Sequence, residues 1–178
     1  HFGNGQKLHW EHRRMQTERE DAEYLAEVPL DGSYDAAVTR ALDATGAGRL
    51  LASQSCIILK PNLVNASGPP VTTPVDCTEA VASYVRSRAP DSRLILAEGC
   101  GAMELETEDV FRALGYAEMT EAKGLELMDL NHEPTITLGD GHRTVFTTFH
   151  LPRIAKEAFI ISIPVLKAHT LAGVTLTM

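Results

Sequence analysis

The sequence predicts a three-layer α/β domain, with a mainly parallel sheet and helices on both faces. Three observations point there. Short apolar runs alternate along the chain with stretches of helical character. The runs "CIILK", "RLILAEG" and "AFIISIPVL" are apolar throughout instead of alternating, as in strands covered on both faces. Each run ends in polar or ionisable residues, at the edge where open parallel sheets hold ligands.

The elements follow in order. Residues 1–30 read as a charged arm or helix, with Glu11, Arg13, Arg14, Glu18 and Arg19 among many charges and Met15, Ala22 and Leu25 as a thin apolar stripe. Such mixed charge suits a solvated face, or a packing helix for a partner subunit. The chain does not open on methionine, so Phe2 to Gln6 are given no weight. Residues 31–178 are the α/β domain.

"SYDAAVTRALDATGAG" is a helix with Ser33 as N-cap; Ala37, Val38, Ala41 and Leu42 form its apolar stripe, and Gly46 and Gly48 end it. "CIILK" is the first strand, and "PNLVNASGPPVTTP" is a loop. Thr73 then caps a helix with Pro74 at its first position and Asp76 completing a capping box. "RLILAEG" is a second strand, "TEDVFRALG" a short helix stopped by Gly115, "EMTEAKG" its extension or successor, and "LELMDL" a third strand. "TITLGDGHRTVF" alternates around Gly-Asp-Gly and predicts an inserted antiparallel hairpin around 134–148. "LPRIAKE" is a turn of helix, "AFIISIPVL" a strand, and "KAHTLAGVTLTM" the start of a final helix. That last segment is apolar at Val174, Leu176 and Met178, so Thr170 to Met178 is expected to be poorly ordered or covered by a neighbouring chain, and the intact protein to extend further.

Composition bounds the function. A formal net charge of −8 over 178 residues argues against general nucleic-acid binding, which needs a basic face. The longest apolar run, Ala158 to Leu166, is far short of a membrane span, and the first residues show no signal-peptide pattern. Cys56, Cys77 and Cys100 form no Cys-x-x-Cys pair and no disulfide framework, which places the protein in a reducing, cytoplasmic setting. Cys56 and Cys77 read as core, and Cys100, between two glycines, as a small inert residue unless its thiol is activated.

The strand ends supply the candidates. Lys60-Pro61-Asn62, Glu98-Gly99-Cys100 and Lys167-Ala168-His169 end three different strands and would converge if those strands are neighbours. Lys60 and Lys167 would hold a small anion, a carboxylate or phosphate, and Asn62 would orient it. His169 would move a proton, with Glu98 as a lysine's partner or as the counterpart acid or base. Thr72 and Thr73 open a helix whose N–H groups could also face the anion. Each residue has a plainer reading: Lys60 snorkelling from a strand end, Asn62 a turn residue, the threonines simple caps. The Asn131-His132-Glu133 stretch and His142 lack metal-ligand spacing, and no P-loop or Gly-x-Gly-x-x-Gly follows a strand. No cofactor is assigned. A divalent-metal site on Glu98 and His169 ranks last, with two ligands. The charged arm and the apolar C-terminal segment are where a homo-oligomer contact could form.

"IILKPNLV", "TTP" before a helix, "LAEG" and "IPVLKAHTLAGVTL", in that order, resemble the family named only as domain of unknown function 362. The resemblance spans Ser33 to Met178 and is most specific in Lys-Pro-Asn-Leu and Pro-x-Leu-Lys-x-His. It implies that Lys60, Asn62, Glu98, Lys167 and His169 are the strongest site residues, and it supplies no reaction. Similar members often carry ferredoxin-type cysteine clusters, which implies a second role as a non-catalytic redox or scaffold partner of an iron–sulfur system; this chain has no such cluster. The family's domain also extends past the final Thr-Leu-Thr.

Overall fold

The computed structural model describes residues 25–102, 104–139, 147–169 and 173–176. Most of the charged arm, the tip of the inserted hairpin and its His142, and Thr170 lie outside them.

Four strands form an all-parallel sheet: β1 (Cys56–Pro61), β2 (Arg93–Glu98), β3 (Glu126–Asp129) and β6 (Phe159–Ile163), in the spatial order β3-β2-β1-β6. Helices α1 (Tyr34–Ala44), α2 (Ala47–Leu51), α3 (Val75–Arg88), α4 (Thr107–Ala113), α5 (Tyr116–Lys123) and the short α6 (Ile154–Glu157) flank it. Two antiparallel ribbons are added, β4 (Thr135–Leu138) with β5 (Phe149–Pro152) and β7 (Lys167–His169) with β8 (Gly173–Thr175). This is the three-layer α/β architecture the apolar runs predict.

The core explains the pattern. On α3, Thr78, Val81, Ala82 and Val85 recur at helical spacing and are all buried. Val81 and Val85 pack on Ile57, Leu59 and Leu94 of the sheet. Further along the same strands Leu96 meets Val110, Phe111, Tyr116 and Met119 of α4 and α5. The alternate residues Ile58, Ile95 and Ala97 pack with Ile154 and Ala158, at and just after α6. Side chains on both faces are therefore withdrawn from water, each large one contributing about 1.5–3 kcal/mol.

Several local expectations are corrected. Ser33 does cap α1, its Oγ accepting from Ala36 N at 3.3 Å. Thr73 caps nothing: α3 starts after Pro74 with no side-chain cap, because the Thr73 hydroxyl is bonded to other strand ends. Gly46 ends α1 with φ 71, but Gly48 lies inside the short α2. The hairpin's second strand begins at Phe149, so the connection is longer than a tight Gly-Asp-Gly turn. A Cβ at Gly139 would strike the Thr147 carbonyl, so the returning chain needs a glycine there. The last long strand ends at Ile163, since Pro164 has no N–H to extend the ladder, and Leu166 is exposed. The expected final helix is instead the β7–β8 ribbon, where β-branched Val174 and Thr175 follow Gly173 at φ 74.

Candidate functional site

The strand order reverses at β1. From β1 the chain builds outward through β2 and β3, then returns to place β6 on the other side of β1. Neighbouring strands whose connections leave in opposite directions open a gap at their carboxyl ends. Lys60 and Pro61 pair with Ser162 and Ile163 at those ends.

Thr73 holds it together. Its Oγ accepts from Asn62 N at 2.9 Å and donates to the Ile163 carbonyl at 2.7 Å, joining the ends of β1 and β6. Thr73 N returns a bond to the Asn62 carbonyl at 3.0 Å. Behind it, the buried Tyr116 hydroxyl donates to the Thr73 carbonyl at 2.9 Å and lies 3.1 Å from Thr78 Oγ. Burial pushes the Tyr116 phenol well above its ordinary range, so it stays a neutral donor. Thr72 Oγ donates to the Ser67 carbonyl at 2.7 Å. Both threonines are thus buried with hydroxyls engaged by backbone, and shape the loop 62–73 from beneath.

Asn62 and Lys167 meet above that floor. Asn62 Nδ2 and Lys167 Nζ donate to the same oxygen, the Val71 carbonyl, at 3.1 and 2.6 Å. His169 is exposed two residues on, on the same face of β7 as Lys167. Lys60 Nζ turns to Glu98 Oε2 at 2.6 Å, with the Glu98 side chain 10% exposed and Lys60 40%. Burial raises the Glu98 carboxyl above its usual range; the Lys60 bond and charge oppose this but do not overcome it. An ammonium carries three N–H donors, of which each of these bonds uses one.

The third strand end carries a pair that sequence reasoning passed over. Asp129 ends β3 and is the register partner of Glu98. His132 Nδ1 lies 2.7 Å from Asp129 Oδ2. Burial of the Asp129 carboxyl disfavours its charge, yet bonds from His132, Asn131 N and the Thr107 hydroxyl outweigh this and hold it below the carboxylate range. The bond to Asp129 in turn raises His132 above an ordinary imidazole. The signal was Asp-x-x-His straight after an apolar strand; a search for metal spacing does not register it. Gly99 belongs to the same corner: a Cβ there would collide with the Asn131 side chain, whose Nδ2 donates to the Cys100 carbonyl at 3.0 Å. Cys100 is buried, with Sγ 3.2 Å from the Val64 carbonyl, and packs as core.

The family model for a domain of unknown function (DUF362) matches residues 57–178, from the first strand to the last residue. The chain belongs to this family. No curated protein and no solved structure matches it. The matched DUF362 segment contains Lys60, Asn62, Glu98, Lys167 and His169 together with Asp129 and His132. Among the described residues no three His, Cys, Asp or Glu side chains converge as a metal site, and no helix is long and apolar enough to cross a membrane.

Proposed function

We propose that this DUF362 domain binds a small oxyanion, a carboxylate or phosphate, at the carboxyl ends of β1 and β6. The convergence of Lys167 and Asn62 on the Val71 carbonyl carries the reading. That oxygen marks a point where an ammonium and an amide donor already meet a partial negative charge. An anionic oxygen replacing it would form stronger, charge-assisted bonds. Lys60, two residues before Asn62 at the end of β1, adds a second ammonium, held by Glu98 of β2. Thr72 and Thr73 serve as the scaffold of the loop. His169 shares a strand face with Lys167 and would exchange a proton with the ligand; Glu98, whose carboxyl is raised above its usual range by burial, is the second acid–base candidate.

The rival readings have less support. A divalent-metal site on Glu98 and His169 would need a third protein ligand, and none converges among the described residues. An iron–sulfur partner role rests on the family resemblance alone.

The test is thermal unfolding with inorganic phosphate and with acetate. A ligand at a hundred times its Kd stabilises the fold by about 2.7 kcal/mol. Lys60→Ala and Lys167→Ala are expected to lose that stabilisation while staying folded. Equal shifts in parent and variants for every anion would refute the site.

A further inference from the structure

The Asp129–His132 pair is built more firmly than a surface ion pair requires. Its carboxylate side chain is 13% exposed, against 72% for the histidine. Three donors reach that carboxylate: the His132 ring, Asn131 N at 2.9 Å, and the Thr107 hydroxyl. Thr107 Oγ is itself fixed by accepting from Cys100 N at 3.1 Å. With Asp129 so held, Nδ1 of His132 carries the proton and Nε2, across the ring, is left as the acceptor. A base oriented by a largely shielded carboxylate, on a side chain that is otherwise exposed, is the arrangement a proton-transfer group needs.

Its position ties it to the cleft. Glu98 and Asp129 are register partners on adjacent strands, whose backbones lie roughly 5 Å apart. Leu130 N donates to the Glu98 carbonyl at 2.9 Å, locking the two loops together. Lys60 already reaches across to Glu98. Lys60, Glu98, Asp129 and His132 therefore form one row along the carboxyl edge of three neighbouring strands.

We propose that His132, oriented by Asp129, is an acid–base group of this same cleft, and that the ligand carries a phosphate rather than a carboxylate alone. The inference rests on the oxyanion reading above. A carboxylate has no proton to exchange near neutrality, whereas a phosphate loses its second proton near pH 6, in the range of an imidazole. A histidine at the edge of a lysine-lined site is matched to the second ligand and idle towards the first. The charges facing His132 are those of Asp129, Glu106 and Glu108, and the ligand would add to them.

The experiment is a histidine-resolved NMR pH titration of the intact chain with inorganic phosphate, with acetate, and with neither. His132 is expected as the Nδ1–H tautomer, and phosphate is expected to raise its pKa by at least about half a pH unit, as a nearby anion does. Acetate, with a single charge, should move it by less than half as much, Lys60→Ala should abolish the phosphate effect, and Asp129→Asn should lower the pKa and lose the tautomer. If phosphate stabilises the fold through Lys60 but the His132 titration does not move, this inference is wrong and the oxyanion site stands. If acetate moves His132 as much as phosphate, the ligand class is wrong. A phosphate effect that survives Lys60→Ala refutes the shared cleft. If no anion acts through Lys60, the oxyanion reading falls and takes this one with it.

Discussion

Strands β2 and β3 are bracketed by two ion-paired ends of opposite character. At their amino ends Arg93 grips Glu126 through two parallel bonds, Nε to Oε2 at 2.9 Å and a terminal nitrogen to Oε1 at 2.7 Å, with both side chains about half exposed. At their carboxyl ends Glu98 is nearly enclosed and has a single ammonium partner, and Asp129 is tied into a network. The amino-end pair has the better geometry and keeps its hydration. The carboxyl-end pair gives up hydration for a poorer contact, so burial outweighs pairing in the Glu98 pKa. A sheet that only needed closing off could use the first solution at both ends. The second fits the oxyanion site proposed above.

Variants can break or sharpen that contrast. Thr73→Val should have the largest effect. It leaves Asn62 N and the Ile163 carbonyl buried without partners, a loss of roughly 2–4 kcal/mol in urea unfolding; a loss under about 0.5 kcal/mol would show that the strand ends do not depend on that hydroxyl. Lys60→Met keeps the stem and strands the Glu98 carboxylate. Breaking a fully buried pair costs about 3–5 kcal/mol, but Lys60 is 40% exposed, so about 1–2 kcal/mol is expected near neutral pH.

Glu98→Gln should act through pH. The folded carboxyl titrates above its unfolded value, so the folded state binds the extra proton and stability falls as pH rises between the two. The glutamine variant should lose that decline, and a pH–stability profile identical to the parent's would contradict the burial argument. Arg93→Ala should matter least, and its small effect should shrink further with added salt. A loss matching that of Lys60→Met would erase the distinction between the two ends.

Much of this was legible in the chain. The continuous apolar runs revealed the parallel strands, because strands buried on both faces leave no room for alternation. The polar tips of those runs then pointed to one edge, and Lys60 and Glu98 are indeed in contact. What stayed hidden depends on contacts far apart in sequence. "TTP" reads as a helix cap, yet the Thr73 hydroxyl is taken by Ile163. "KAHTLAG" has a helical look, yet the segment after Lys167 folds into a ribbon and lays that lysine on Val71. His132 was hidden by its surroundings, since only the partly buried carboxylate three residues before it distinguishes it from a surface histidine.

The Thr73 bond also has a bearing on when the molecule matures. It joins residues 90 positions apart, and the Lys167–Val71 bond joins residues 96 apart. Closing loops of that length is entropically expensive and is repaid only after β6 has docked beside β1. The first strands and α3 can therefore assemble before the ends of β1 and β6 are joined. Competence to hold a ligand would be among the last properties the folding chain acquires. A ligand seated there would act mainly as a brake on unfolding, with little influence on how fast the fold is reached.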